Sequence, residues 1–212
     1  MNMRKDSRPS LKYYKLELNL PEAKYFSDLG GVRLELNTIL SLCTQADGLP
    51  ESSKREAEII DALGIACIMK YIRCFHHTGK RQSLSLNDIQ TLSVGLRETH
   101  KTIKHLRDKH IAHSVSHLEE CYCEVQIEEE NGIRKAVERI TTGIEIVIIN
   151  KEQLRDIQQL VSEVLVIVER KLRTEEIRLI GLVNGLPAAE IDLLRRHKDL
   201  EVDFSNIGVA RK

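Results

Sequence analysis

The chain has 212 residues, and its 32 Lys and Arg balance 32 Asp and Glu, so its formal net charge is zero. This balance argues against a protein whose whole surface binds nucleic acid or an anionic membrane. Aromatic residues make up only 4% of the chain and Trp is absent, which disfavours an open stacking platform for single-stranded nucleic acid. A chain of this length buries roughly 70% of its unfolded surface, so it does not need a metal or a disulfide to fold.

Five cysteines occur in the chain, at Cys43, Cys67, Cys74, Cys121 and Cys123. Their odd number and irregular spacing favour a reducing compartment over a disulfide framework. We interpret Cys67, on an apolar helix, as a small hydrophobic residue. Cys121 and Cys123 share one face of a predicted strand, but no second cysteine pair follows that would complete a structural zinc site. We therefore favour an interpretation without a bound metal.

The chain contains no stretch of 18 apolar residues, and no apolar run follows its charged first residues. Transmembrane helices and secretory signals require such runs. We therefore expect no membrane partner and a cytoplasmic location.

The sequence pattern predicts helices in the first part of the chain. Residues 1–20 are expected to form a loose arm. A helix is predicted over about 21–45, because Pro21 suits its first turn, where the missing N–H needs no partner. The Gly-Gly pair at 30–31 is a candidate break in that helix. Over 51–75, apolar residues occur on all sides of the next helix, which indicates a mostly buried element.

A third helix carries a one-sided apolar stripe. Ser85 or Asn87 can cap its start, with Asp88 favourable near the positive end of the helix dipole. The stripe recurs at steps of three and four residues, through Ile89, Leu92, Leu96, Thr99, Ile103 and Leu106. Such spacing is typical of a helix that packs one face against a core.

A β-hairpin is predicted at about 120–149, where apolar residues alternate. Asn131–Gly132 suits the positive φ angles of a two-residue turn, so Glu130 is expected to pair with Ile133. The same register pairs Cys123 with Ile140 and Glu124 with Arg139. Apolar pairs then share one face and opposite charges share the other.

A fourth helix begins after Asn150 and continues to about Val183, and a short helix follows over 188–197. The predicted fold is therefore mainly α, a four- to five-helix bundle with an inserted β-hairpin. The expected organisation is an N-terminal arm at 1–20, a single helical domain at 21–197 that includes the hairpin at about 120–149, and a C-terminal tail at 198–212.

Five of the eight histidines lie between His100 and His117. Extending the stripe of the third helix past Leu106 by the same steps gives His110, His113 and His117. Each ring nitrogen of a histidine needs a hydrogen-bond partner. A stripe that turns to histidine therefore indicates a cleft, an interface or solvent.

Three interpretations of this histidine face remain open. The histidines interact with the negative end of the helix dipole or lie in a dimer interface. Alternatively, His113 and His117 bind a metal, with Glu119 or Glu120 nearby. In the third interpretation, Arg107 and His113 perform acid–base chemistry on a phosphodiester, because Arg matches phosphate oxygens and His exchanges a proton near neutral pH.

Charge is uneven around the histidines. Residues 97–113 contain five Lys or Arg and two acidic residues, a local charge of +3, and 114–133 contain six Glu and no Lys or Arg. The positive segment suits an RNA backbone, or it is an ordinary solvated helix face. Arg73, on the preceding helix, either reaches the same cleft or pairs with a carboxylate.

The segment Arg107-Asp-Lys-His-Ile-Ala-His113 resembles the signature of HEPN domains, in particular of abortive-infection members, whose helix ends in an RDK-h-AH pattern. The family motif is an Arg, often followed by Asn or Asp, with a His a short distance later; five residues intervene here. Lys109 and Ala112 also fit, and the likeness covers about 52–116. The hairpin is not part of the minimal HEPN bundle.

The resemblance implies a metal-independent endoribonuclease without a cofactor, acting as a homodimer that brings two motif copies to one cleft. Arg107 would hold the scissile phosphate, His113 would be the general base or acid, and Asp108 would orient a neighbouring polar group. The nucleophile would be the 2′-hydroxyl of the RNA itself, which leaves a cyclic phosphate. The supporting candidates are His110, Lys109 and Arg73.

Arg107 and His113 differ by about 240° around an ideal helix. They converge if the helix departs from ideal geometry near Ile111, or if a dimer supplies one group from each chain; His110 lies closer to Arg107 on the helix surface. The expected function is an RNA-cleaving toxin or phage-defence effector, with an antitoxin as a further partner. The alternative is a catalytically silent, dimeric HEPN-fold interaction module whose hairpin is the partner surface.

Overall fold

The computed structural model describes residues 16–18, 20–75, 83–108, 119–130, 133–146, 148–192 and 194–196. Its α-helices are α1 (Lys24–Asp47), α2 (Lys54–Arg73), α3 (Val94–Leu106), α4 (Lys151–Asn184) and α5 (Ala188–Asp192). Its strands are β1 (Leu16–Glu17), β2 (Glu119–Glu130), β3 (Ile133–Ile146) and β4 (Arg195–Arg196). The described chain is mainly helical with a β2–β3 hairpin before α4, as the sequence predicts. None of the helices in these ranges combines the length and the apolarity that crossing a bilayer requires.

Helix α1 follows a 3₁₀ turn at Pro21–Ala23 and continues through Gly30 and Gly31 without a break. Its buried residues recur at steps of three and four: Leu29, Val32, Leu36, Ile39, Cys43 and Ala46. This spacing places them on one face of the helix, and that face contributes to the hydrophobic core.

Helix α2 begins after Ser53, whose hydroxyl accepts a hydrogen bond from the backbone N–H of Glu56 (3.4 Å). Most residues of α2 are buried or half-buried, as predicted. Ile59 and Met69 are exposed, and the fully buried residues lie on one face of the helix. Cys67 lies on that face as a fully buried free thiol. Its interpretation as a small hydrophobic residue is thereby confirmed, and its Sγ lies 3.8 Å from the Sγ of Cys43.

Helix α3 begins later than predicted. Ser85 forms a reciprocal cap with Asp88, but the element that this pair caps is a 3₁₀ turn, Leu86–Ile89. The α-helix starts beyond it, where the Ser93 hydroxyl accepts a hydrogen bond from the backbone N–H of Leu96 (3.3 Å). Two serines are therefore competent caps, and side-chain preference alone does not rank them.

Helix α4 starts at the predicted cap. The Asn150 side chain accepts a hydrogen bond from the backbone N–H of Gln153, and the Gln153 side chain accepts one from the Asn150 N–H, both at 3.0 Å. The helix extends to Asn184, close to the predicted end. Helix α5 ends at Asp192, earlier than expected, and β4 pairs with β1, a contact that the sequence pattern does not predict.

The hairpin has the predicted register only beside its turn, where Glu130 pairs with Ile133. Irregularities on either side of Ile127 shift the register by two residues in the rest of the hairpin. The observed pairs are Cys123–Thr142 and Glu124–Thr141, where the prediction was Cys123–Ile140 and Glu124–Arg139. A bulge adds a residue to one strand, and the alternating pattern of residue types does not reveal it. The predicted register was therefore wrong for the part of the hairpin beyond Ile127.

The chain divides into two compact units. The unit Tyr25–Glu176 contains the hydrophobic core, to which α1, α2, α3 and α4 contribute. The other unit combines 1–24 with 177–212, and its described part includes β1, α5 and β4. Within this second unit, the Arg178 guanidinium donates a hydrogen bond to the backbone carbonyl of Glu22 (2.7 Å).

Candidate functional site

A cavity of about 580 Å³ lies between the end of α2, the loop before the 3₁₀ turn and the second half of α3. Its apolar lining residues are Ile72, Phe75, Leu84 and Leu86. Its polar and charged lining residues are Ser85, Asn87, His100, Lys104, Arg107 and Asp108. All of these residues belong to the unit Tyr25–Glu176.

The helical repeat of α3 explains why three of these side chains share one cavity. His100, Lys104 and Arg107 follow each other at steps of four and three residues. Residues at these steps lie above one another on one helix face. The cavity wall formed by α3 is therefore neutral and buried at His100 and carries two positive charges toward its C-terminal end.

The opposite wall is held by local hydrogen bonds. The backbone N–H of Leu84 donates to the Cys74 carbonyl oxygen (2.8 Å), which ties the loop to the end of α2. The Asp88 carboxylate accepts from the Ser85 N–H (2.7 Å) and pairs with Lys171 of α4 (2.7 Å). Burial opposes ionisation of Asp88, but the hydrogen bonds from Lys171 and Ser85 outweigh it and lower the pKa of this carboxyl.

His100 is the buried polar residue of the described chain, with 4% of its surface exposed. Its Nδ1 lies 3.0 Å from the Tyr71 hydroxyl, and the rings of Tyr71 and Phe75 meet it edge to face. Burial, and to a lesser degree the charge of Lys104, lowers the pKa of His100. At neutral pH the imidazole is therefore uncharged, with one ring nitrogen as a donor and the other as an acceptor.

Arg107 and Asp108 form an ion pair at the end of α3, with 2.8 Å between Nη1 and Oδ1. The hydrogen bond from Arg107 lowers the pKa of Asp108, so the carboxylate stays charged. Arg107 Nε is buried and has no hydrogen-bond partner among the described residues. An unsatisfied buried donor costs about 1–3 kcal/mol, which an oxyanion reaching this nitrogen would offset.

The helix changes geometry at this pair. Arg107 keeps α-helical dihedral angles (φ −60°, ψ −50°), and its N–H still bonds to the Ile103 carbonyl oxygen. Together with Asp108 it forms a π-helical turn directly after α3. Single π-helical turns are frequent at functional sites, because they change the direction in which side chains leave the helix. Arg107 and His113 are expected to converge if the helix departs from ideal geometry near Ile111, or if a dimer supplies one group from each chain. Ile111 lies outside the described residues.

The predicted site residues have different outcomes in the structure. Arg107 and Asp108 line the cavity. Arg73 forms an ion pair with Glu35 of α1 (3.3 Å) and is not a lining residue. Three predicted residues, Lys109, His110 and His113, lie outside the described ranges, as does His117 of the alternative metal site. Within those ranges, no three His, Cys, Asp or Glu side chains are grouped as metal ligands.

The positive segment of α3 contributes only part of its charge to the cavity. Arg97 donates to the Gln90 carbonyl oxygen (2.7 Å), and Lys101 pairs with Glu98 (2.7 Å). The charged residues of the described lining are Lys104, Arg107 and Asp108, so this part of the cavity carries a charge of +1 with His100 neutral. That charge suits one phosphate group.

His100 is not among the site residues predicted from the sequence. The predicted stripe uses Thr99 between Leu96 and Ile103, but the steps from Leu96 to His100, Ile103 and Arg107 are also four, three and four residues. The structure buries His100 and Ile103. This second stripe, which ends on the motif arginine, is the signal that identifies His100.

The chain has no significant match among protein-family models, curated proteins or solved structures.

Proposed function

We propose that this protein is a cytoplasmic, metal-independent endoribonuclease of the HEPN type, acting as a homodimer in a toxin or phage-defence role with an antitoxin as partner. The observation that carries the proposal is the position of Arg107. It lies on the wall of a cavity, beside Lys104, in the π-helical turn directly after α3. The segment with His113 follows directly in the chain.

The proposed reaction uses groups of the chain and of the RNA alone. The 2′-oxygen of a ribose attacks the adjacent phosphorus, the bond from phosphorus to the 5′-oxygen breaks, and a 2′,3′-cyclic phosphate and a 5′-hydroxyl result. As general base, His113 takes the proton from the 2′-hydroxyl, and water protonates the leaving 5′-oxygen; as general acid, it protonates that oxygen, and water takes the proton from the 2′-hydroxyl. Arg107 holds the phosphate through its planar guanidinium, and Lys104 adds positive charge. Asp108 orients the guanidinium through the observed ion pair.

RNA cleavage in excess EDTA tests this proposal. We expect the wild type to cleave, His113→Ala to lose about 10²–10⁴-fold in rate, and Arg107→Ala to lose about 10²–10³-fold. Arg107→Lys keeps the charge but not the planar fork, so it should lie between the wild type and Arg107→Ala.

Matched controls are His105→Ala and Arg55→Ala, because both residues are exposed and neither lines the cavity. These variants should cleave at the wild-type rate. Loss of cleavage in EDTA, or a His113→Ala variant as active as the wild type, would contradict the proposed mechanism.

A specific observation favours a second function, that of a dimeric interaction module. Apolar side chains of the hairpin are exposed: Val125 by 48%, Ile127 by 49% and Ile140 by 63%. Val125 and Ile140 are direct partners in the register. Neighbouring exposed apolar residues are typical of a surface that binds another protein, and a second copy of the chain is the occupant that we propose.

Sedimentation velocity tests the role of the hairpin. We expect a dimer for the wild type and a shift to monomer for Ile140→Lys, because the variant places a charge in the apolar contact. Leu34→Lys changes an exposed leucine on α1 and should remain dimeric. If Ile140→Lys remained dimeric, the hairpin would be ruled out as the dimer interface. If the wild type were a dimer that cleaves no RNA, the interaction module would be favoured over the enzyme.

A further inference from the structure

The cavity beside Arg107 has walls of two chemical kinds. Ile72 and Leu84 are buried and Phe75 is half-buried, so they form an apolar part. Lys104 and Arg107 provide the cationic part from a single face of α3. The cavity therefore matches a ligand with an apolar body and an attached anionic group.

The size of the cavity narrows the ligand class. Small-molecule sites are typically about 300–1,000 Å³, and this cavity has about 580 Å³, far more than one phosphate group fills. A sugar phosphate would bring hydroxyl groups against Ile72 and Leu84, which offer no hydrogen bonds. A fatty acid would place apolar carbon atoms against the Asn87 amide nitrogen and against the His100 ring nitrogen that does not meet Tyr71. A nucleotide matches both kinds of wall.

Polar groups at the edge of the cavity suit a base. The Gln90 side-chain amide donates to Asn87 Oδ1 (2.9 Å), so the Asn87 amide nitrogen is a donor for a carbonyl or ring nitrogen. Neutral His100 offers one donor or acceptor, because its other ring nitrogen meets Tyr71. Few, fixed polar groups on an apolar wall are the usual means of selecting one base.

We propose that this cavity binds one nucleotide of the RNA substrate, with its base against Phe75 and Leu84 and its phosphate at Lys104 and Arg107. The inference rests on the proposed function, because the phosphate held by Arg107 is then the one that is cleaved. The cavity thereby determines which nucleotide precedes the cut.

Isothermal titration calorimetry of the full chain in EDTA tests this inference without any cleavage. The probes are the four nucleoside 3′-monophosphates, which cannot be cut, together with ribose 5-phosphate and inorganic phosphate. We expect one nucleotide to bind best and both base-free probes to bind at least about 5-fold more weakly, the lower end of what base–aromatic contact contributes.

Two variants locate the binding site. Lys104→Gln should weaken nucleotide binding about 5- to 10-fold through loss of a charged contact to phosphate, whereas Lys101→Gln, one turn earlier and paired with Glu98, should not. Leu86 is exposed at the cavity, so Leu86→Trp should block the nucleotide without unfolding the chain. Leu34→Trp, an exposed leucine on α1, is its control.

The outcomes separate this inference from the proposed function. One outcome is that the protein binds a nucleotide, that Lys104→Gln and Leu86→Trp weaken this binding, and that no RNA is cleaved. This result would support the nucleotide site and overturn the ribonuclease. RNA cleavage without base-dependent nucleotide binding, or with binding that Leu86→Trp leaves unchanged, would support the ribonuclease and overturn the nucleotide site. Equal affinity for a nucleotide and for inorganic phosphate would also overturn it.

Discussion

His100 joins α2 to α3 through its contact with Tyr71. Both side chains are buried, and the Tyr71 hydroxyl and His100 Nδ1 lie 3.0 Å apart. Burial raises the pKa of Tyr71, so the hydroxyl keeps its proton, and burial lowers the pKa of His100. The pair is therefore neutral in the folded protein, and protonation of His100 would place a charge beside two aromatic rings.

This burial predicts a pH dependence of stability. Below the ordinary histidine pKa of 6.5, the unfolded chain takes up a proton that folded His100 does not. The free energy of unfolding therefore falls as the pH drops from 7 through 6.5 toward the lower pKa of the folded state. We expect His100→Gln to be less stable at pH 7, but to lose less of its stability between pH 7 and 5.5 than the wild type.

Urea denaturation at both pH values measures this difference. His105→Gln, which replaces an exposed histidine on the same helix, should keep the pH dependence of the wild type. If His100→Gln showed the same loss of stability as the wild type over this range, the neutral state of His100 would be wrong.

At the scale of elements, α2 makes a close contact with the segment that leads into α4. The backbone N–H of Ile149 donates to the Asp61 carboxylate (2.8 Å), and the Ile149 side chain lies against Gly64 one turn later on α2. A Cβ at Gly64 would lie 2.5 Å from Ile149 Cγ2 and 2.9 Å from its Cβ. The glycine is therefore required for this approach.

Gly64→Ala should destabilise the protein. Overpacking of a core contact costs about 1–3 kcal/mol, and the better helix propensity of Ala recovers at most about 1 kcal/mol. Gly30→Ala is the matched control on α1, because a Cβ there meets nothing within 4 Å; it should stabilise by about 0.5–1 kcal/mol. Denaturation midpoints measure both variants, and a Gly64→Ala variant as stable as Gly30→Ala would show that α2 and Ile149 are not in close contact.

Elements with a long periodic pattern were predictable from the sequence. The predicted extents of α1 and α4 and the predicted Asn150 cap agree closely with the structure, in which one face of each helix packs against a single core. The start of α3 was not predictable, since Ser85 and Ser93 both satisfy the rules for a helix cap. The hairpin and its register beside the turn were predicted. The register beyond Ile127 was not, because the bulges there leave the alternation of residue types unchanged.

At the scale of the whole molecule, the candidate site combines segments that are distant in the sequence. Arg107 and Asp108 were predicted from a short motif. The cavity that they line also requires Phe75 at the end of α2 and Leu84 in the loop, and no local pattern indicates that these residues meet. The zero net charge of the chain is compatible with this site, because two cations, Lys104 and Arg107, supply the positive charge of its described lining.

The central claim is that Arg107 and His113 cleave RNA through the 2′-hydroxyl of the substrate. Its most direct test is the incubation of the purified protein, in EDTA, with an RNA that it cuts and with the same RNA carrying a single 2′-deoxy nucleotide at the cut. We predict a 2′,3′-cyclic phosphate end on the unmodified RNA and no cleavage at the deoxy position. Cleavage at the deoxy position, or cleavage that requires a divalent metal, would contradict the proposed mechanism.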